Sequence, residues 1–304
     1  MLSSGFFILV IYMVAVFGVT LPYWYEAGNS PAGDIPASPW SFRPALKLWL
    51  EAAWCALLLG IAFPLDPFAR RIAAARSGPG DDGLPPVLLV HGLYHNPSGW
   101  MYLRRHLQKA GFRDIRTLKY SSWKTDIAAI TAKLDAAVRD IENSRPGKKP
   151  LLVGHSLGGL LIRNWLADAG NQKRAMGAVT LGAPHRGSKM AALAFGALGK
   201  SLSPANPFFA DLALREAEAS IPCVSLVSEG DTMVLPLQNL VPVTSGWEMR
   251  LTPYTTHAGI MLKGAVMRMT VWELHRIVNA AAKRAAGTAP AGTTEEPAGE
   301  KAAS

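Results

Sequence analysis

The sequence predicts an α/β protein: a mostly parallel central sheet with helices on both faces, preceded by an N-terminal transmembrane helix or hairpin. Two patterns predict it. From residue 86 onward, short apolar runs alternate with stretches of helical periodicity, as expected of strands buried on both faces. Before that point, two long apolar stretches dominate residues 1–76. The chain has 304 residues. A chain of that size buries about three quarters of the surface its unfolded form exposes, so its core needs no disulfide or metal. The organisation expected is a membrane anchor over 1–76, a linker over 77–85, a globular domain over 86–286 with a cap over 189–220, and a tail over 287–304. The linker is rich in Gly and Pro, and the tail has almost nothing to bury.

No charged side chain falls between Leu2 and Tyr25. As a helix this stretch spans a hydrocarbon core, with Tyr23, Trp24 and Tyr25 where an aromatic belt would lie. A cleavable signal peptide is the rival. The lack of Lys or Arg ahead of the apolar run, and of a small-residue cleavage site after it, favours an uncleaved anchor. A second apolar stretch runs from Ala45 to Phe63, with Lys47 and Glu51 spaced for an i,i+4 pair. It is long enough to span, and also suits an interfacial helix or one packed on the following domain. Arg70, Arg71 and Arg76 come after it. If both stretches span, the positive-inside rule puts both termini, and the domain, in the cytoplasm rather than the periplasm; if only the first spans, the domain faces the opposite side.

Within the domain, Val87–Val90 reads as a buried strand, residues 98–110 as a helix and 114–120 as a strand. Residues 125–142 form an amphipathic helix with Ile127, Ile130, Leu134, Val138 and Ile141 on one face. Strands follow at 150–153, 178–181 and 221–227, with helices at 157–169 and 271–286. The net charge of +9 comes from scattered basic residues. They carry no nucleic-acid motif, so the charge suits either anionic headgroups or a plain solvated surface. Cys55 and Cys223 read as reduced apolar residues, and no Cys/His cluster has metal-like spacing.

The strongest local signal is Gly154-His155-Ser156-Leu157-Gly158, a G-x-S-x-G pentapeptide between a strand and a helix. Such an elbow puts the serine on a strained turn. Gly154 and Gly158 keep Cβ atoms out of the crowded approach, and the following helix aims free N–H groups at a developing oxyanion. An oxyanion hole needs a second donor from the loop after the first strand. That loop is His91-Gly92-Leu93-Tyr94, which makes Leu93 and Leu157 the candidate donors and His91 a loop-shaping residue. A serine needs a base, and the partners follow such an elbow in the order acid, then histidine. Of the histidines after Ser156, His185 leaves too little chain for an acid-bearing strand, and His275 lies inside the last helix. His257 is the candidate base. Asp231, just past the 221–227 strand, is the candidate acid, with Glu229 as its rival.

HGLYHN, GHSLGGL, LGAPHRGS, SEGDTMV and THAGIM together resemble bacterial triacylglycerol lipases and esterases of the α/β-hydrolase superfamily over about residues 86–280. The resemblance implies an α/β-hydrolase fold. It also implies catalysis by Ser156, Asp231 and His257 without a cofactor, and an ester or lipid-ester substrate; the bacterial inner-membrane setting expected here comes instead from the apolar stretches ahead of the domain. Secreted lipases lack the N-terminal pair of apolar stretches. The Ala/Leu/Phe-rich segment 190–220 suits a lid for lipid chains or a buried helical insertion. An acyltransferase with the same triad, or a catalytically silent scaffold, is the alternative function.

Overall fold

The computed structural model describes residues 4–29, 35, 42–66 and 83–287. Most of the expected linker and tail, and Arg70, Arg71 and Arg76, lie outside the described residues. Six parallel strands form one sheet in the order β2-β1-β3-β4-β5-β6. They are β1 (Val87–Val90), β2 (Ile115–Leu118), β3 (Leu151–His155), β4 (Gly177–Leu181), β5 (Cys223–Val227) and β6 (Trp247–Leu251). β1 pairs with both β2 and β3, Val87 facing Ile115 on one side and Leu151 on the other. The chain therefore steps outward from β1 to β2 and returns past β1 to β3. Such a switch point opens a crevice beyond the carboxyl ends of the strands.

Each strand is short and uninterruptedly apolar because both faces are covered. Leu88 and Val90 face one cluster, built on α4 (Ile127–Ser144) and α5 (Leu157–Leu166). Val87 and Leu89 face the other, built on α3 (Met101–Lys109) and the long C-terminal helix (Gly264–Gly287). α4 starts where Asp126 accepts a hydrogen bond from the Ala129 N–H at 2.7 Å. The five residues predicted to form its apolar face are all buried. After α5 the chain stops and restarts as a short helix, α6 (Ala169–Gln172), capped by the Asp168 carboxylate. The segment between β4 and β5 carries two short helices, α7 (Gly196–Lys200) and α8 (Pro207–Arg215). It is tied down by a buried ion pair: Arg163 Nη2 on α5 lies 2.6 Å from Glu216 Oε2, just past α8. With the labels continued in chain order, Gly264–Gly287 is α9.

Two helices precede the sheet: α1 (Ser4–Asn29) and α2 (Phe42–Ala62). By length and composition, the stretches Gly5–Asn29 and Phe42–Leu65 are each apolar enough to cross a membrane. They run antiparallel: Trp49 Nε1 donates to Met13 O at 3.1 Å and its ring meets Phe17 edge-on. α2 also lies against the domain. Leu48 is buried next to Gly230, and Asn96 Nδ2 donates to Phe63 O at 2.8 Å just beyond the helix. Over 15 residues that contact runs about 22 Å along the helix axis. Glu51 does not pair with Lys47, which is exposed. Its carboxylate turns the other way, into the domain. Cys55 and Cys223 are both free thiols.

Candidate active site

Ser156 sits between β3 and α5 with φ 53° and ψ −123°. A non-glycine residue takes that conformation only when the surroundings impose it. Here they do. Its N–H is held by Leu181 O on β4 at 2.9 Å. A side chain on Gly154 would enter the backbone of Gly158 and Gly159, and one on Gly158 would enter the Val90 carbonyl. The two glycines of the pentapeptide therefore let α5 start directly against β1. Among the described residues, no protein group accepts from the N–H of Leu157 or of Leu93. Leu157 opens α5, and Leu93 lies in the loop after β1. Ser156 is 9% exposed and makes no hydrogen bond to a described side chain.

The structure brings Asp231 and His257 together. Asp231 follows β5 and is fully buried; His257 lies between β6 and α9 and is 8% exposed. His257 Nδ1–H donates to Asp231 Oδ2 at 2.7 Å. Asp231 Oδ1 takes the N–H groups of Met233 and Val234, each at 2.9 Å. Three donors thus satisfy a carboxylate that has no access to water. With Nδ1 protonated, His257 keeps Nε2 free as an acceptor. Gly182 (φ +57°) passes so near that a side chain there would lie 3.0 Å from Asp231 Oδ2 and 3.3 Å from His257 Nδ1. Glu229 is not in this pair: its carbonyl accepts a 2.7 Å hydrogen bond from Tyr23 on α1.

The other histidines have structural settings. His155 follows Gly154 on β3, and its Nε2–H donates to His257 O at 3.1 Å. Complete burial drives its pKa well below the ordinary value, with His257 and His95 adding to the shift. His95 is likewise held down to about 4, first by burial and then by His257. His91 stacks on Tyr120 with ring centres 4.0 Å apart, and burial lowers it to about 4. His185 accepts or donates across 3.0 Å to Ser225 Oγ, deep under β4 and β5. His275 packs on Phe112. No group of His, Cys, Asp or Glu among the described residues is arranged to hold a metal ion.

A family model described as the alpha/beta hydrolase family matches residues 87–299. The chain belongs to the alpha/beta hydrolase family. Solved structures of similar fold include the mature lipase BlEst2 of Bacillus licheniformis, with TM-score 0.54 and 20% identity, covering 65% of this chain and 94% of that one. They also include Aspergillus fumigatus lipase B, with TM-score 0.53 and 20% identity, covering 62% and 51% of the two chains. A third is phospholipase PlaB of Legionella pneumophila, with TM-score 0.51 and 16% identity, covering 64% and 59%. No curated protein matches. This chain thus spans about half of the Aspergillus lipase, and the likenesses are of fold.

This alpha/beta hydrolase adds groups at the same rim that sequence reading passed over. Tyr94 has φ 58° and its N–H donates to Ser122 Oγ at 2.9 Å. Its hydroxyl accepts from the Phe195 N–H at 2.7 Å and also bonds the Phe195 carbonyl, so the loop after β1 grips the segment leading into α7. Ser228 joins the loops of Asp231 and His257: its hydroxyl donates to Thr255 O at 2.6 Å and accepts from Thr255 N at 2.9 Å. Tyr94 stands in HGLYHN and Ser228 in SEGDTMV, yet only the chain's return to the same rim gives either a role.

Proposed function

We propose that this protein is a membrane-held serine hydrolase that cleaves carboxylic esters, above all lipid esters, through an acyl-enzyme on Ser156. One observation carries the reading: a serine forced to φ 53° at a strand-to-helix elbow, on the same sheet rim as a buried His257–Asp231 pair. The chemistry follows from those groups. His257 Nε2 takes the Ser156 proton as Oγ attacks the ester carbonyl. The unengaged N–H groups of Leu93 and Leu157 receive the oxyanion. Asp231 holds the imidazole in the tautomer that can accept a proton and stabilises the imidazolium. The alcohol departs with the proton from His257. Water, deprotonated by the same imidazole, then releases the acid and restores Ser156.

Lipid esters are favoured by the apolar surroundings. Leu193, Phe195 and Leu214 of the cap are exposed at 63%, 72% and 88%. Two of the structures of similar fold are named lipases and one a phospholipase. In this reading α1 spans the bilayer. α2, with Leu48 and Leu59 turned toward protein, presents Phe42, Leu46, Leu50, Trp54, Leu57 and Ile61 to lipid. Those six recur every three or four residues, a single stripe along one helix face. Steady-state hydrolysis of a p-nitrophenyl ester tests the reaction. Ser156→Ala should abolish turnover while leaving thermal unfolding unchanged, and full activity in that variant would overturn the assignment.

A further inference from the structure

Glu51 lies in the middle of α2, flanked by Leu50, Ala52, Ala53 and Trp54. A carboxylate in an apolar helix is costly and usually marks a function. Its Oε1 accepts from the hydroxyl of Thr255, and from the Thr256 N–H at 3.1 Å. Those two residues lead directly into His257. The approach is a built one. A side chain on Gly259, the residue two beyond His257, would collide with Glu51 Oε1, so the loop leaves a glycine-sized opening for the carboxylate. The same loop is fixed from inside the domain by Ser228 on Thr255 and by His155 on the His257 carbonyl. From outside the domain, Tyr23 of α1 meets Tyr254 Oη at 3.1 Å, and Glu51 is the group that reaches the two residues next to His257 with a carboxylate.

We propose that Glu51 is a positioning residue for the reaction: by accepting from Thr255 and Thr256, α2 holds the His257 loop at the height from which the imidazole reaches Ser156. The inference rests on Ser156, Asp231 and His257 acting as proposed above. Glu51 touches no reacting atom. It works through the loop backbone, so it should govern the rate of serine attack more than substrate affinity. The helix that presents lipid-facing residues on its outer side thus supplies part of the active-site framework on its inner side.

The test uses the full-length chain in detergent micelles, a short-chain p-nitrophenyl ester and a fluorophosphonate probe. Glu51→Leu should lower kcat about tenfold or more with KM within about twofold, and slow labelling of Ser156 in proportion. Glu51→Gln keeps an acceptor oxygen and should recover activity to within about threefold of the native chain. Thr255→Val removes one of the two contacts and should lower kcat in the same direction but by less, and adding it to Glu51→Leu should cost little more, because Glu51→Leu already removes that contact. Full kcat in folded Glu51→Leu, or a Glu51→Gln variant as impaired as Glu51→Leu, would overturn the proposal. If Glu51→Leu does not fold, full activity in Thr255→Val has the same force. Failure of the underlying mechanism reads differently: Ser156→Ala would then still turn over and no serine would be labelled.

Discussion

At the scale of single residues, the proposed site predicts that its groups cannot be exchanged for near relatives. Asp231 is buried with each oxygen committed, one to His257 and one to two backbone N–H groups. Asp231→Asn replaces an acceptor by an amide and favours the wrong imidazole tautomer. Steady-state kinetics should show kcat falling roughly a thousandfold or more, with the fold retained. Much of this was legible beforehand. Gly154, Ser156 and Gly158 declare themselves because their spacing is local. Asp231 and His257 follow from chain order and from the ends of strands. Glu51 was not legible in that way: its partner Thr255 stands 204 residues away, and its nearer neighbour Lys47 offered a plausible but unformed pair. Tyr94 was hidden for the same reason, since nothing local announces a left-handed tyrosine.

At the scale of elements, the buried strands β1, β3, β4 and β5 were readable because both their faces are covered and their sequences are unbroken apolar runs. β6 was missed. It lies at the sheet edge and none of its residues is fully buried, so Trp247-Glu248-Met249-Arg250-Leu251 carries no continuous apolar signal. The segment between β4 and β5 is broken by glycines and prolines, but nothing in its sequence announces how it is attached. That attachment is the Arg163–Glu216 pair, with side chains only 2% and 5% exposed, supported by Arg163 Nη1 donating to His185 O at 2.5 Å. Glu216→Ala leaves a guanidinium buried without its counter-charge. Denaturant unfolding should show a loss of about 3–5 kcal/mol, and an unchanged midpoint would show that the segment is held by other contacts.

At the scale of the whole molecule, stability should follow the buried neutral histidines. His91 and His95 are held down to about 4, and His155 and His185 lie well below their ordinary value, all chiefly through burial. In the unfolded chain each titrates near 6.5. Between those values the unfolded state binds protons that the folded state refuses, so stability falls as pH falls. The contribution is fully present above about pH 7 and is lost progressively toward pH 4, where His91 and His95 each cost on the order of 3 kcal/mol. Urea unfolding at fixed ionic strength should therefore show a plateau above neutrality and a steep decline between pH 6.5 and 4. A flat profile over that window would mean these rings take up protons while the chain is still folded.

The uniform direction of the six strands reaches further than the chemistry of one serine. Every strand-to-helix turn opens on one rim, so pieces inserted at unrelated places in the chain arrive at a common address. The segment between β4 and β5 and the pair of helices ahead of β1 both meet there, although neither adds a strand to the sheet that receives them. In the proposed reading, substrate choice and membrane attachment are therefore carried by two pieces that lie outside the sheet holding Ser156.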